Sequence, residues 1–264
     1  MEPLVIIGLL VLGLAVGLII SLLGVSGSIF VIPVLLLFYS TSIYSAIGTS
    51  LFVDMVGATI VAIWYFREER VDLSATLLLI LTALAGSQIG VLVAVNTGET
   101  SLSNLVCFIF IGIGVIILAR SVNEIKSDAT IESPKVIFKS ERQKKVVISL
   151  IGLFIGLMSG IFGAGGGMMI IFVLLVIFKY PSHTAVGTAT AIMAFIAISG
   201  VIGYSIQGHI NFEYGVIISF GTIISGIVGS VFSGRLNEAT LRIVMGIIFI
   251  LVGLVTLFLL LFLS

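Results

Sequence analysis

Long apolar runs separated by short polar breaks dominate this chain and predict five helical elements in each of two sets. In the first set, the runs cover about residues 4–23, 28–39, 43–66, 72–95 and 101–119. In the second set, they cover about residues 146–162, 167–178, 182–206, 211–234 and 240–263. An α-helix needs about 20 residues to cross a hydrocarbon core. The pattern therefore predicts an all-α polytopic membrane protein, with a first unit at residues 1–119, a linker at 120–145 and a second unit at 146–264.

The two units are copies of one another, because a shift of 139 positions aligns them without a gap. The stretch LLGVSGSIF at residues 22–30 falls on IFGAGGGMM at residues 161–169. The same shift pairs Gly24 with Gly163, Gly48 with Gly187, and Thr49 with Thr188. Internal duplication with a glycine-rich break in each copy is typical of secondary transporters.

The second run of each unit has only about 12 residues, which is too short for a full membrane crossing. We expect the first two runs to form a hairpin, either re-entrant or with a half-length second helix. A single broken helix would instead place the two ends on opposite sides. The returning hairpin puts all 12 basic residues on one side, as the positive-inside rule requires. The sequence thus predicts inverted repeats, each with a glycine-rich hairpin plus three transmembrane helices, outer termini and a cytoplasmic central loop.

Composition supports a multi-pass protein of the cell membrane and argues against several classes of ligand and cross-link. Apolar residues make up 59% of the chain and charged residues 9%, a balance typical of proteins embedded in a lipid bilayer. The net charge of zero gives no argument for nucleic acid binding. A single cysteine, Cys107, excludes an internal disulfide, and His183 and His209 lack metal-ligand spacing. We expect no metal and no cofactor, and the sequence is compatible with a homo-oligomer.

The two glycine-rich breaks form the first candidate site. A break leaves backbone N–H and C=O groups that lipid cannot satisfy, so protein, water or a ligand must do so. The short helix after each break presents its N–H groups and the positive end of its dipole, which favours an anion. The candidate residues are Gly24, Ser26, Gly27 and Ser28 in the first unit, and Gly163, Gly165, Gly166 and Gly167 in the second. The alternative is a tight turn between helices without a ligand.

A second repeated motif, AIGTS at residues 46–50 and AVGTA at 185–189, lies near the start of the third run of each unit. We expect the hydroxyl groups of Thr49, Ser50 and Thr188 to line the same site. For each residue taken alone, the alternative is a hydrogen bond back to a carbonyl of its own helix.

Asp54 is the only acidic residue well inside an apolar run. A charge at the centre of a membrane helix costs about 2.5 to 3.5 kcal/mol, so the carboxyl should face a polar interior or be protonated. Its counterpart is Met193, which makes the units chemically unequal. Two interpretations stay open: a carboxyl that couples transport to a proton, or a neutral acid hydrogen-bonded to a neighbouring helix.

These features resemble the TauE/SafE family of sulfite exporters. The resemblance depends on the two broken hairpins, on Pro33 and on the A-x-G-T element about 20 residues after each break, and extends from about Gly13 to Leu257. It implies secondary transport of small sulfur oxyanions or organosulfonates, such as sulfite, sulfoacetate or taurine-related compounds, across a prokaryotic cytoplasmic membrane. The chain departs from the family pattern at Ser26 and Ser28, and where Phe172 replaces an expected proline.

The sequence therefore predicts a secondary transporter that moves a small sulfur-containing anion by alternating access, with proton or ion coupling through Asp54. No GxxxxGK[ST] motif occurs, so an ion or substrate gradient would supply the energy. We do not expect an enzyme. The alternatives are a membrane-embedded enzyme or lipid-handling protein, which would need clustered titratable residues, and an anion channel, which would need a continuous polar stripe.

Overall fold

The computed structural model of the chain describes residues 2–73, 76–102, 141–163, 165–178 and 180–235. The helices with assigned bounds are α1 (Pro3–Leu23), α2 (Ser28–Tyr39), α3 (Ile43–Arg67), α4 (Leu77–Asn96), α5 (Glu141–Phe162), α6 (Gly165–Val176), α7 (Ser182–Ile206) and α8 (Phe212–Arg235). These described residues contain no strand, which confirms the all-α prediction for them. Cys107, nearly all of both predicted fifth runs and residues 120–140 of the linker lie outside the described residues.

Six of these helices, all except α2 and α6, are long and apolar enough to cross a membrane. The polytopic membrane prediction is therefore confirmed. The predicted bounds differ most at two places. α4 begins at Leu77 rather than at residue 72, because the preceding residues form a loop that contacts α7. α5 begins at Glu141, so the last residues of the predicted linker are helical.

Both glycine-rich breaks begin with the same backbone turn. Gly24 adopts a left-handed conformation with φ 66°, and its N–H donates to the Ile20 carbonyl at 3.0 Å. Gly163 has φ 68°, and its N–H donates to the Ser159 carbonyl at 2.8 Å. Glycine adopts this conformation at low cost because it has no Cβ, so the helix ends at the repeated glycine.

After the first break, α2 returns along α1 as a half-length helix. The Tyr39 hydroxyl, at the end of α2, donates to the Val5 carbonyl near the start of α1 at 3.4 Å. Gly27, at the start of α2, lies against Val16, in the middle of α1. The short helix therefore starts at mid-depth and ends on the side where α1 began. A single broken helix that crosses once does not fit these contacts.

The first helix of each unit packs along the fourth helix of the other unit. A Cβ built at Gly17 in α1 would lie 2.1 Å from Ser225 Oγ and 2.3 Å from the Thr222 carbonyl oxygen of α8. A Cβ built at Gly156 in α5 would lie 2.0 Å from the Ala83 carbonyl oxygen of α4. Only small residues allow helices to approach so closely. The two units therefore interlock.

The third helices of the two units, α3 and α7, pack together at the centre. In the most apolar 18-residue stretch of each helix, 61% of the residues of α3 and 83% of those of α7 are buried. The corresponding share in the other spanning helices is 33 to 50%. Gly48 lies beside Tyr204, whereas Tyr65 lies beside Gly187, so these equivalent helices run antiparallel. An inverted duplication requires this direction, while the orientation of each unit in the membrane stays a prediction.

The close approach of α4 and α5 predicts the effect of Gly156→Ala. The added methyl group would meet a backbone carbonyl, which cannot move without displacing a helix. We expect the unfolding free energy to fall by about 1 to 3 kcal/mol, measured by denaturant unfolding in detergent. Gly98→Ala is the control, because a Cβ there has no neighbour within 4 Å. Equal stability of the two variants would contradict this account of the packing.

Candidate functional site

The first break meets the middle of α3 at Asp54. This side chain is 1% exposed, and three donors surround its carboxyl group. The Gly27 N–H donates to Oδ1 at 2.9 Å, and Ser28 Oγ donates to Oδ2 at 2.8 Å. Ser26 Oγ also donates to Oδ2. The acid predicted to need a polar interior is therefore hydrogen-bonded to three groups of the break.

The side chain of Asp54, a residue of α3, caps the N-terminal end of α2. Gly27 immediately precedes this helix, so its N–H has no acceptor within the helix. Lipid cannot supply an acceptor either, and Asp54 does so instead. The carboxyl group also lies where the positive end of the helix dipole favours negative charge. This differs from the expectation that a free anion contacts these groups directly, because an acid of the protein already does so.

The two breaks touch one another at this point. Ser28 Oγ lies 3.0 Å from the Gly163 carbonyl oxygen, and Ser26 Oγ lies 3.4 Å from it. Gly167 covers the first break, since a Cβ there would lie 2.5 Å from the Ser26 backbone nitrogen. Ser50 Oγ donates to a carbonyl of its own helix and lies beside Gly163. The structure thus assembles Ser26, Gly27, Ser28, Ser50, Asp54, Gly163 and Gly167.

The two serines give this cluster a choice between hydrogen-bonding patterns. Their hydroxyl groups supply two protons, whereas the acceptors are Asp54 Oδ2 and the Gly163 carbonyl. An ionised Asp54 accepts from both hydroxyls. A protonated Asp54 donates to Ser26 Oγ, which then donates to Ser28 Oγ at 2.8 Å and leaves Ser28 free to donate to Gly163. The protonation state of Asp54 therefore affects the hydrogen bond between the two breaks.

The second break has different chemistry. Ser26 and Ser28 correspond to Gly165 and Gly167, and Asp54 corresponds to Met193. The Met193 sulfur would lie 3.0 Å from a Cβ at Gly167, so an apolar side chain stands where the first unit has its carboxyl group. Gly166 lies beside Ser159. The N-terminal end of α6 therefore gains no carboxylate from the position equivalent to Asp54.

Thr49 and Thr188 differ from the expectation that they line the breaks. Thr49 Oγ1 accepts from the Asn211 N–H at 2.9 Å, and Thr188 Oγ1 accepts from the Asp72 N–H at 3.0 Å. Each threonine thus binds the loop that precedes the fourth helix of the other unit. The 139-residue shift also pairs Asp72 with Asn211, a signal that sequence reasoning missed.

Sequence reasoning also did not foresee the contacts of two buried tyrosines near the breaks. The Tyr65 hydroxyl donates to the Ser21 carbonyl at 3.1 Å, and the Tyr204 hydroxyl donates to the Gly160 carbonyl at 2.9 Å. These carbonyls lie at the ends of α1 and α5. Because the repeat shift pairs the two tyrosines, a search for every repeated polar residue would have found them.

His183 lies at the start of α7 and His209 lies in the loop that follows α7, and both interact with other residues. The Arg70 guanidinium donates to His183 Nδ1 at 3.2 Å, and the His209 ring stacks on Tyr44 with centroids 5.0 Å apart. No group of three or more metal-ligating side chains occurs in the part of the chain that the structure describes.

Tyr180 fixes the loop next to His183. Its hydroxyl donates to Asp72 Oδ2 at 2.7 Å. Burial, the hydrogen bond to Asp72 and the charge of that carboxylate all raise the pKa of Tyr180 above its usual value. The phenol therefore remains a protonated donor at neutral pH.

Comparisons with known proteins agree with this architecture. The family described as Sulfite exporter TauE/SafE matches residues 9–256. The chain is 27% identical to the probable membrane transporter protein YunE of Bacillus subtilis, covering 93% of this chain and 94% of the relative. It is 26% identical to a probable membrane transporter protein of Methanocaldococcus jannaschii, covering 93% of each. No solved structure matches the chain. This multi-pass membrane protein therefore belongs to the TauE/SafE family of membrane transporters.

Proposed function

We propose that this protein is a secondary transporter of small sulfur-containing anions, such as sulfite, sulfoacetate or related organosulfonates. The observation that supports this most directly is the buried cluster of Asp54, Ser26 and Ser28 at the contact between the two breaks. The description of the family names sulfite export, and the names of the relatives indicate membrane transport. We further propose the cytoplasmic membrane as its location, with the central loop cytoplasmic.

The substrate would bind where the two breaks meet and would compete with the Asp54 carboxylate for donors. The Gly27 N–H and the two serine hydroxyls suit an oxyanion, because charge-assisted hydrogen bonds to oxygen are strong. Ser50 lies at the edge of this region, next to Gly163. The break backbone at Gly165, Gly166 and Gly167 would complete the site from the second unit.

Electrostatics favours the transport of a proton together with the anion. Two negative charges 4 Å apart repel each other by about 4 kcal/mol at an effective dielectric constant of 20. In the described helices, Asp54 is the only Asp, Glu, Lys or Arg that lies away from the helix ends. Among the residues that the structure describes, no Lys or Arg lies at that depth to offset the repulsion. Protonation of Asp54 would remove its charge and release donors to the substrate, so binding of the anion and of the proton would support each other.

Alternating access would come from movement of one unit against the other around the central pair α3 and α7. These helices run antiparallel, and the break of each unit contacts the third helix of the other. Gly24 lies beside Val186 of α7, and Gly163 lies beside Ile47 of α3. Movement of either hairpin would therefore change the surroundings of the Asp54 cluster.

Proteoliposome uptake tests the substrate class. We expect saturable uptake of at least one of sulfite, sulfoacetate and taurine, and we expect an inward proton gradient to stimulate uptake of the anions. Radiolabelled substrates are compared in vesicles with and without the gradient, and protein-free vesicles provide the background. If none of the three compounds enters faster than this background, the proposed substrate class is wrong.

Asp54→Asn tests the coupling. The amide keeps a similar shape and an acceptor oxygen but cannot ionise. We expect the proton gradient to stimulate uptake at least tenfold less in this variant than in the wild type, while downhill exchange persists. Glu213→Gln is the control, because Glu213 is an exposed acid at the start of α8. Unchanged stimulation in Asp54→Asn would remove Asp54 from the coupling and leave anion transport untouched.

Ser28→Ala tests the hydrogen bonds between the breaks. The change removes a buried hydroxyl that lies within hydrogen-bond distance of both Asp54 and Gly163, so we expect the unfolding free energy to fall by about 1 to 3 kcal/mol. Ser230→Ala is the matched control, because that buried hydroxyl donates only to Gly226 of its own helix. Denaturant unfolding in detergent measures both. If Ser28→Ala lowers the unfolding free energy no more than Ser230→Ala does, Ser28 does not stabilise the contact between the two breaks.

A further inference from the structure

The repeated G-T motif of α3 and α7 binds a loop of the opposite unit. A Cβ at Gly48 would lie 2.1 Å from the His209 carbonyl oxygen, and a Cβ at Gly187 would lie 2.4 Å from the Arg70 carbonyl oxygen. The glycine therefore makes room for a carbonyl of the incoming loop. The following threonine accepts an N–H two residues further along that loop, from Asn211 or Asp72.

We name these contacts by their loops. The 70 latch is the contact of residues 70–72 with Gly187 and Thr188, and the 209 latch is the contact of residues 209–211 with Gly48 and Thr49. Each latch joins the two units, since the loop belongs to one and the helix to the other. Both contacts lie near the N-terminal ends of α3 and α7, which run antiparallel. The two latches therefore lie at opposite ends of the central helix pair.

We propose that the two latches are the gates of the transport cycle, one at each face of the membrane. This inference rests on the proposed alternating-access transport. While the glycine and the threonine hold the opposite loop, the two units are joined at that face. The Asp54 cluster lies between the two ends, because Asp54 is midway along α3. In this structure both latches are closed, so each face would open only when its own threonine releases the loop.

Both latches have the same hydrogen bond from a loop N–H to a threonine hydroxyl. The other side-chain contacts differ between the two latches. In the 70 latch, Arg70 donates to His183, and Tyr180 donates to Asp72. In the 209 latch, the His209 ring stacks on Tyr44. Hydrogen bonds that involve a charged group are stronger than neutral ones. The 70 latch should therefore be the harder gate to open, and loss of its threonine should have the smaller effect.

Thiol accessibility tests the gates without any substrate. Ser159→Cys places a reporter at the second break, where the serine is buried and lies beside Gly166, in a background with Cys107→Ala. A membrane-impermeant maleimide is added to sealed right-side-out or inside-out vesicles. Thr49→Val and Thr188→Val remove the acceptor with little change in shape. We expect each to raise labelling about two- to tenfold from one side only, and the two sides to be opposite.

Matched variants keep the test interpretable. Thr49→Ser and Thr188→Ser retain the hydroxyl and should label at the basal rate, as should Thr59→Val, whose hydroxyl donates within its own helix. Size-exclusion chromatography checks folding, and Thr→Ala replaces any valine variant that is not monodisperse. Increased labelling from the same side, from both sides equally or from neither side would overturn the gate assignment. Failure of sulfur-anion uptake alone would overturn only the proposed substrate.

Discussion

The site depends on the hydrogen bonds between the Asp54 carboxyl group and the N-terminal end of α2. Lipid offers no partner to a carboxyl group or to the backbone of a broken helix, so each must find one inside the protein. The Gly27 N–H, Ser26 and Ser28 meet Asp54, and the same serines reach the Gly163 carbonyl. One buried polar cluster therefore joins the two breaks and places them against the middle of α3.

Glycine contacts determine how the rest of the chain surrounds this cluster. α1 packs along α8, and α5 packs along α4, with backbone carbonyls where larger side chains would clash. The two units consequently share two long helix interfaces besides the central pair of α3 and α7. The units are also joined at two places where a short loop of one unit meets a glycine and a threonine of the other.

The fold is duplicated, but the chemistry is not. Both units keep the left-handed glycine, the G-T motif and a tyrosine that binds the end of the first helix. Only the first has the acid and the two serines, since the second has Met193, Gly165 and Gly167 at those positions. The repeat therefore preserves the backbone frame of each unit, whereas the buried carboxyl group belongs to the first unit alone.

The sequence by itself determined the membrane class, the bounds of the described helices to within a few residues at most ends, the return of the first hairpin and the family. These properties follow from local information: the length of an apolar run, the conformational freedom of glycine and the spacing of the repeat. It also identified Asp54 as a buried acid that needs partners.

Only the tertiary structure decided what those partners are. Ser28 and Asp54 are 26 positions apart, and Thr49 and Asn211 are 162 apart, so no local pattern encodes either contact. The start of α4 was misplaced for the same reason, because the loop before it is held by α7. Thr49 and Thr188, taken from sequence as part of the anion site, proved to bind distant backbone. A hydroxyl group has the same chemistry wherever it lies, and only the packing of the helices selects which donor it meets.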